Sequence, residues 1–527
     1  MSREPHPEVD LPRQLPLKGC VRDGGPRWRS TAAVFTAMAA LAATSLVTGP
    51  ALAEPGAACE LRRTGAHHSE GVDTWNAAYP RPTRPLDAVM VFLSFPDSAP
   101  LTAPAELTAD YFPATSQFFE RASYGRFTLR PHALPGWIRM PHASTSYAMR
   151  RDWNAEHRAA YLRDALSVAD GQVDFSRYDV VYFVADPDAP GVDSDATKVV
   201  NLDAPLRADG KDIRRVVTVF EKHPPDHLVL AHETGHVFDL PDLYHRPTDG
   251  KGDWDTYVGD WDLMGSQFGL APDLFAWHKW RLGWLDPHQV VCVRSRGSTR
   301  LTLEPLGVGP APAAAAGATP TPEAAAGSAS AAGVETVAGV APVVGAEPVA
   351  GVEPVVGAEP VAGVEPVVGA KPVAGVETVA GAGSASPGAG LPGAGISSDA
   401  VPHGPEVPAP ATAFGVGRGT KLAVVRTGPD SALAFEARGP VGNDGSTCSQ
   451  GILVYRVRSE AESGAGPVQV VDAHPHSESC WGDSVYPPLA DAPVGLGESF
   501  TVPGEDVKVE VEDRTPSGAW TVQIATG

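Results

Sequence analysis

The residues best suited to chemistry lie in one short segment, His232-Glu-Thr-Gly-His236, which Asp242 follows six residues later. On an α-helix, side chains four positions apart lie on the same face, so both imidazoles can bind one metal ion. Glu233 directly follows the first histidine, which places its carboxylate to hold and deprotonate a metal-bound water. The pattern predicts a catalytic zinc ion with Glu233 as general base. The alternative is a surface helix that happens to carry two histidines.

A helix has to carry this segment, and a turn has to follow it. Asp226, which comes after two prolines, is a typical N-cap residue. Leu228 and Leu230 predict a helix with one side in the core. Pro241 cannot continue a helix, so the chain must turn there and could bring Asp242 back to the metal as a third ligand.

Residues further along the chain could complete such a site. Met264 lies 28 residues after the second histidine and could form an apolar floor beneath the ligands, although an ordinary buried methionine in a tight turn fits equally well. Tyr244, His245 and Tyr257 are candidates for stabilising an oxyanion, with packing as their alternative role. The acidic segment 249–255 could bind Ca²⁺, but it matches no complete EF-hand loop, so a solvated loop is the alternative.

Residues 1–53 have the composition of an export signal. Arginines precede an apolar run over residues 31–47, and Ala51-Leu-Ala53 offers a small-residue cleavage site. We therefore expect cleavage near Ala53 and a secreted protein. Because the run is about as long as a membrane span, an uncleaved N-terminal anchor is the alternative.

Four cysteines follow the export signal: Cys59, Cys292, Cys448 and Cys480. An even number in an exported chain indicates two disulfides, with three possible pairings. We expect Cys59–Cys292 across the ends of the first domain and Cys448–Cys480 within the last. A competing role for Cys59 is a thiolate that blocks the metal in a latent form.

The net charge of the chain limits the classes of molecule that it can bind. The formal net charge of -22 argues against nucleic acid or an anionic membrane surface. After the signal, no second apolar stretch of spanning length follows, so we expect no stable membrane insertion once the signal is removed. The expectation is a monomer that acts on protein or peptide substrates.

Strand and helix patterns divide the rest of the chain into an α/β part and a β-rich part, which makes the fold class α+β. Residues 54–290 alternate strand-type and helical segments, which predicts a layered α/β catalytic domain with one central sheet. Short strands with Gly and Pro turns predict a β-sandwich-like domain that starts at 291–310 and resumes at 417–527. We expect segments 299–304 and 421–426 to be paired strands within it.

Residues 311–416 separate these two pieces and have a different composition. Glycine recurs every six residues from Gly333 to Gly381. Such a period can indicate a β-helix. However, Pro or Thr fills the fourth position of nearly every unit, and Pro removes the donors that a β-helix ladder needs. The composition therefore favours a disordered low-complexity insertion.

As a set, several motifs resemble the immune inhibitor A family of secreted bacterial zinc metallopeptidases. They are His232-Glu-Thr-Gly-His236 with Leu240-Pro-Asp-Leu-Tyr244, then Trp261-Asp-Leu-Met-Gly-Ser266, then Trp277-His-Lys-Trp-Arg-Leu-Gly-Trp284. The resemblance implies a zincin- or metzincin-like catalytic domain and endopeptidase activity toward extracellular proteins. It also implies one zinc bound by His232, His236 and Asp242, with Glu233 as general base.

One position departs from the family pattern HExxHxxGxxD, because Asp239 stands where that pattern has glycine. Glycine reaches positive φ freely, whereas aspartate does so at a cost of about 1 kcal/mol. Aspartate tolerates this region better than most residues, so we expect the turn to form and Asp242 to be the third ligand. Asp253, Asp255 and Asp262 are the alternative ligands.

Two functions follow from these patterns. The first is a secreted zinc endopeptidase that hydrolyses peptide bonds with Glu233 as general base. The second is a catalytically silent cell-surface or matrix protein-binding module that retains a metal site. The intact Glu233 favours the first, because a purely structural metal site has no use for that carboxylate.

Overall fold

The computed structural model describes residues 57–246, 253–294, 296–310, 416–477 and 479–527. Three predictions therefore fall wholly or partly outside the described residues: the export signal, the calcium segment up to residue 252, and the repeat insertion up to residue 415. The described residues contain a mixture of helices and strands in three sheets, as the α+β prediction requires. Among them, no helix is long and apolar enough to span a membrane.

The first sheet has six strands and contains the segments predicted for the α/β part. Its strands are β1 Leu86–Ser94, β2 Leu129–Ala133, β3 Ile138–Arg139, β4 Val180–Ala185, β5 Lys198–Ala208 and β6 Lys211–Val219. The order is β2-β1-β4-β6-β5, and β3 also pairs with β1. All pairs are parallel except β5 with β6, which is antiparallel and leaves β5 at an open edge.

Five helices accompany this sheet and two lie further along the chain. They are α1 Pro104–Tyr111, α2 Ala114–Ala122, α3 Ser144–Tyr147, α4 Ala155–Ala169, α5 His227–Val237, α6 Ala276–Leu282 and α7 Pro487–Ala490. Apolar residues cover both faces of the sheet. Along β1, Met90 and Phe92 pack with α1, α2 and α5, whereas Val91 and Leu93 pack with α4. The first sheet is thus the central layer of an α/β part.

The helix α5 carries the histidine motif. It begins after Asp226, whose side chain accepts a hydrogen bond from Leu228 N at 2.8 Å, so the predicted N-cap is confirmed. Every residue from Leu230 to Val237 is buried. The prediction of a helix with only one side in the core is wrong for this stretch. The reason is long-range: residues of the β-rich part and of the segment before β1 join the core around α5 and form walls of the cleft that its polar side lines.

The β-rich part contains two sheets. The second sheet has the order β12-β11-β10-β9-β7 and the third β13-β14-β15-β8. The strands are β7 Val290–Cys292, β8 Gly297–Leu303, β9 Leu422–Arg426, β10 Ser431–Arg438, β11 Gly451–Arg458, β12 Val468–Val470, β13 Ser499–Thr501, β14 Val507–Arg514 and β15 Trp520–Thr526.

The second sheet is buried on both faces. Ala432 and Ala434 of β10 belong to the apolar core that also contains α5, whereas Leu433 and Phe435 belong to a core shared with the third sheet. Residues 57–310 and 416–527 accordingly lie in one compact unit. An apolar core therefore continues across the predicted division at residue 290.

The expected pairing of segments 299–304 and 421–426 is wrong. Both form strands, but β8 pairs with β15 in the third sheet, whereas β9 pairs with β10 and β7 in the second. A local pattern indicates that a segment is a strand, while its partner depends on residues far away in the sequence. The two segments are nevertheless close where β8 ends and β9 begins, because Glu304 N donates to Thr420 O at 2.8 Å.

Both expected disulfides are present. Cys59 is bonded to Cys292, with 5.5 Å between the Cα atoms, and Cys448 is bonded to Cys480, with 6.0 Å. The first bridge ties the segment before β1 to the end of β7 in the second sheet. It also removes the free thiolate that the alternative role of Cys59 requires.

Candidate metal centre

The two histidines of α5 and Asp242 converge on one point. His232 Nε2 lies 3.2 Å from His236 Nε2, and Asp242 Oδ1 lies 3.4 Å and 3.0 Å from these two atoms. Ligand atoms about 3.3 Å apart are what tetrahedral coordination requires when metal–ligand distances are about 2.0 Å. Within the described parts of the chain, these three side chains form a group that could hold a metal ion.

Backbone carbonyl groups fix the orientation of both imidazoles. His232 Nδ1 lies 2.9 Å from Leu263 O, and His236 Nδ1 lies 2.8 Å from Leu240 O. Because a carbonyl oxygen only accepts hydrogen bonds, each Nδ1 carries a hydrogen, and each neutral ring keeps a lone pair on Nε2. The two nitrogen lone pairs and the Asp242 carboxylate therefore face a common centre.

The carboxylate of Asp242 has one oxygen that needs a cation. Oδ1 is buried, and its nearest polar neighbours in the described part of the chain are the Nε2 atoms of His236 and His232, at 3.0 Å and 3.4 Å. Oδ2 accepts a hydrogen bond from Ser463 Oγ at 3.3 Å and lies 3.9 Å from Arg246 Nη2. When both rings are neutral, neither Nε2 can donate to Oδ1, and a buried anionic oxygen without a donor is costly. A cation next to both histidines would remove that cost, so the residues present fit a bound metal.

The pKa values of His236 and Asp242 also indicate that these residues fit a bound metal. Burial lowers the pKa of His236, but the nearby Asp242 carboxylate raises it by more, to about 9. Burial raises the pKa of Asp242, but His236 and His232 together hold it well below its usual value. Without a metal, His236 and Asp242 therefore share a proton at the place where a divalent ion would bind. Binding of the ion would release that proton.

Asp239 forms the turn between the second histidine and Asp242. Its φ is 68°, so the expected turn through the left-handed region is confirmed. The side chain is fully buried: Oδ1 lies 2.8 Å from His68 Nδ1, and Oδ2 lies 2.6 Å from Arg63 Nη2 and 2.9 Å from Arg281 Nη2. Hydrogen bonds from Arg63 and His68, together with the charge of Arg281, thus hold the residue that stands where the family pattern has glycine.

Glu233 lies beside the candidate metal site and faces the same cleft. Its Oε2 accepts a hydrogen bond from Val199 N of β5 at 2.6 Å. Burial raises the pKa of the Glu233 carboxyl. A fixed carboxylate with a raised pKa is suited to taking and returning a proton.

Met264 is fully buried and contacts α5 at Gly235, which lies between the two candidate ligand histidines in the sequence. A Cβ atom at Gly235 would lie 2.5 Å from Met264 Sδ, so this contact depends on the glycine within the motif. The turn of Met264 also supports the site directly, since the preceding Leu263 carbonyl is the acceptor for His232. This position fits the predicted apolar floor.

The candidates for oxyanion stabilisation lie in different places. An open cleft of about 890 Å³ contains the ligands and Glu233, and Tyr244 is on its wall. The Tyr244 ring stacks on His232 at 6.3 Å between centroids, and its hydroxyl accepts a hydrogen bond from Arg246 at 2.6 Å. His245 and Tyr257 hydrogen-bond to each other at 3.1 Å and are not among the cleft-lining residues. Of the three, Tyr244 is the one that lines the cleft.

The alternative ligands are not part of the group. Asp262 Oδ2 accepts hydrogen bonds from Phe275 N at 2.7 Å and from His278 Nδ1 at 3.0 Å, so it is engaged in structural contacts. Asp255 lies on the cleft wall but outside the ligand group, and Asp253 is outside both. The metal group formed by the described residues contains Asp242 and none of the three.

His68 is a cleft residue that the sequence did not indicate. It comes from the segment before β1, lies on the cleft wall and stacks on His236 with 5.7 Å between ring centroids. Burial lowers its pKa to about 4, although its hydrogen bond to Asp239 opposes this change. The only indication of such a residue in the sequence is indirect: position 239, where the family pattern has glycine, carries a carboxylate that needs a partner.

Comparisons with known proteins add no assignment. The sequence matches no model of a protein family and no curated protein. The resemblance to the immune inhibitor A family therefore stays a prediction, and a functional proposal has to rest on the geometry of the site.

Proposed function

We propose that the protein is a secreted, zinc-dependent endopeptidase. The observation that carries the proposal is the convergence of His232 Nε2, His236 Nε2 and the buried Asp242 Oδ1 beside Glu233 in an open cleft. Two imidazoles and one carboxylate with neighbouring atoms about 3.3 Å apart suit zinc, and three protein ligands leave a fourth position for chemistry. A buried, closed site of four protein ligands would have favoured a structural role instead.

Zinc, when bound, supplies a Lewis acid that polarises a carbonyl group and lowers the pKa of water. The protein residues then move the protons. Glu233 takes a proton from the attacking water and returns it to the nitrogen of the leaving amine. Because Val199 N already holds Glu233 Oε2, the other oxygen, Oε1, is the one free to carry that proton.

The substrate binds, in this proposal, along the open edge of the first sheet. Val199 N donates to Glu233 rather than to β6, so this part of β5 directs backbone groups into the cleft. Asn201, two residues further along, has the same orientation and also lines the cleft. An exposed strand edge pairs readily with an extended peptide, which would then run past the metal.

The fold supports a zincin- or metzincin-like catalytic domain within this proposal. A histidine-bearing helix packs under a sheet whose antiparallel edge strand borders the cleft, and a buried methionine turn lies beneath the ligands. The two disulfides are typical of proteins in oxidising compartments, which fits an exported enzyme that acts on extracellular proteins.

The proposal is tested by cleavage of casein and of a labelled peptide, with and without a zinc chelator. Glu233→Gln should bind one zinc ion and cleave neither substrate. Glu120→Gln, the same substitution at an exposed position of α2 outside the cleft, is the matched control and should behave as wild type. If the wild-type protein binds zinc but cleaves neither substrate, the endopeptidase proposal is wrong and the protein-binding module is the better account.

A further inference from the structure

We propose that His68 is a substrate-positioning residue, which Asp239 orients so that its Nε2 accepts a hydrogen bond from a backbone N–H of the bound peptide. This inference rests on the proposed endopeptidase activity. Neither the metal motif nor the general base includes His68, which lies 164 residues before the first histidine of the motif.

The position of His68 places it next to the reacting groups. Its ring stacks on the ligand His236 at 5.7 Å between centroids, with 25° between the ring planes. The residue is buried in the wall of the cleft that contains Glu233, and it borders that cleft on the side of the segment before β1. A peptide that extends along the cleft past the metal would therefore pass this ring.

The hydrogen bond to Asp239 decides which ring nitrogen faces the substrate. Asp239 Oδ2 accepts a hydrogen bond from Arg63 and lies beside Arg281. Guanidinium groups only donate hydrogen bonds, so this oxygen carries no hydrogen of its own. The carboxylate is therefore ionised, so His68 Nδ1 must carry the hydrogen that lies between it and Oδ1 at 2.8 Å. In the neutral ring, Nε2 then keeps its lone pair. Among the described residues, Nε2 has no hydrogen-bond partner.

The segment that carries His68 is held rigidly. Thr64 Oγ1 and Ser69 Oγ each donate to Ser459 O at 2.6 Å, and His67 N donates to Glu462 Oε2 at 2.8 Å. The disulfide at Cys59 fixes the start of the same segment. An acceptor on a rigid support loses little freedom when it binds, which is what a positioning group requires.

A structural role alone does not account for this arrangement. Asp239 is already neutralised by two arginines, so it needs no histidine for charge balance. A packing residue in the cleft wall could be any apolar side chain of similar size. What histidine adds at this position in the cleft wall is one nitrogen locked by Asp239 and a second with a lone pair that can accept a hydrogen bond.

The test uses peptides in which one backbone N–H at a time, other than that of the scissile bond, is replaced by an ester oxygen. For wild-type protein, the replacement at the N–H that His68 accepts should lower kcat/KM about tenfold, the size of one lost hydrogen bond, whatever other replacements do along the edge of β5. In His68→Leu the parent peptide should be cleaved about tenfold more slowly, and that same ester should cause no further loss. In His68→Gln, whose side-chain oxygen can reach the place of Nε2, the sensitivity to that ester should return.

Zinc content and thermal unfolding of each variant show whether it is folded. If His68→Leu does not fold, His68→Phe keeps the ring volume without the acceptor and takes its place in the series. Equal sensitivity to every ester in wild type and in the variant without the acceptor would overturn the role of His68 while leaving the endopeptidase intact. A zinc-loaded wild-type protein that cleaves no peptide would instead overturn the proposed function, and this inference with it.

Discussion

Ser463 hydrogen-bonds both the backbone and the side chain of Asp242, although 221 residues separate them in the sequence. Its Oγ accepts from Asp242 N at 2.8 Å and donates to Asp242 Oδ2 at 3.3 Å, and the adjacent Gly464 N donates to Asp242 O at 2.9 Å. The loop that follows β11 thus orients a candidate metal ligand. The β-rich part of the chain therefore contributes to the site itself.

The first prediction concerns this loop. Ser463→Ala removes the hydroxyl that holds Asp242 and should weaken zinc binding about tenfold or more, because partners of ligand residues typically contribute 10- to 100-fold in affinity. Competition with a chromogenic chelator measures the change. Ser517→Ala, in an exposed turn between β14 and β15, is the control and should bind zinc as wild type does. Unchanged affinity in Ser463→Ala would mean that the contact does not orient the ligand.

The second prediction concerns the third ligand. Asp242→Ala should remove the bound zinc, because two histidines alone leave the site without its anionic ligand. Asp255→Ala changes a carboxylate of the same cleft that lies outside the ligand group, so it should keep one zinc ion per chain. Elemental analysis after dialysis distinguishes the two. The reverse result would make Asp255 the ligand and Asp242 a support.

The third prediction is that Asp239→Gly destabilises the protein despite the left-handed backbone. Glycine relieves a conformational cost of about 1 kcal/mol at φ 68°. The substitution also removes the nearer carboxylate from buried Arg281, which keeps the more distant Glu70 at 3.8 Å, and breaking a buried ion pair costs about 3–5 kcal/mol. The loss is larger, so the free energy of unfolding should fall by about 2–4 kcal/mol in urea titrations.

Ala148 provides the control for this balance, since its φ is 45° and its side chain forms no ion pair. Ala148→Gly should leave stability unchanged or raise it slightly, because only the backbone term applies. An Asp239→Gly variant as stable as wild type would show that the buried arginines find other partners.

The fourth prediction is a pH dependence that originates at His278. The ring is fully buried, with Nδ1 at 3.0 Å from Asp262 and Nε2 at 2.9 Å from Glu70. Burial lowers its pKa, but the two carboxylates raise it by more, to about 10. Because the folded pKa exceeds the unfolded value of about 6.5, this stabilisation is complete below pH 6.5 and is lost as the pH rises towards 10.

Urea unfolding at pH 6, 8 and 10 measures this effect when wild type is compared with His278→Gln. Other titrating groups contribute to both proteins and cancel in the difference. The stability gap between the two should be largest at pH 6 and should shrink towards pH 10. A gap that does not change with pH would show that His278 stays neutral in the folded protein.

The sequence predicted those parts of the site that depend on local spacing. The cap at Asp226 and the two histidines four residues apart follow from helix geometry, and Asp242 follows from the turn that Pro241 predicts after the helix, which ends at Val237. His68 and Ser463 could not be found in this way. Each reaches the site through contacts with residues more than 150 positions away, and a histidine or serine in a loop has no pattern of its own.

The same distinction applies to the fold. Alternating apolar residues identified 299–304 and 421–426 as strands, but strand partners are chosen by packing, and β8 pairs with β15 at the far end of the chain. The burial of α5 from Leu230 to Val237 could not be predicted either, because the segments that pack around it come from both ends of the described sequence. Local periodicity specifies an element and leaves its neighbours open.

The fifth prediction is that residues 311–415 can be replaced by a short Gly/Ser linker without loss of the site. The chain enters and leaves this segment at one place, because Lys421 Nζ donates to Pro305 O at 2.8 Å and to Val308 O at 2.7 Å. Gly419 N also donates to Glu304 at 3.0 Å. These contacts remain when the segment is removed, so zinc content and peptide kcat/KM should match wild type.

Shortening the connection should also make folding more favourable. Loop-closure entropy changes by about 0.6 kcal/mol for each twofold change in length, so a linker of a few residues gives an upper estimate of about 2–3 kcal/mol. The midpoint of urea unfolding should therefore not fall below that of wild type. A control with the segment scrambled at constant length separates length from composition. If the shortened protein loses zinc or activity while the scrambled one keeps both, the segment supports the site through its length, and the contacts at its base are not sufficient.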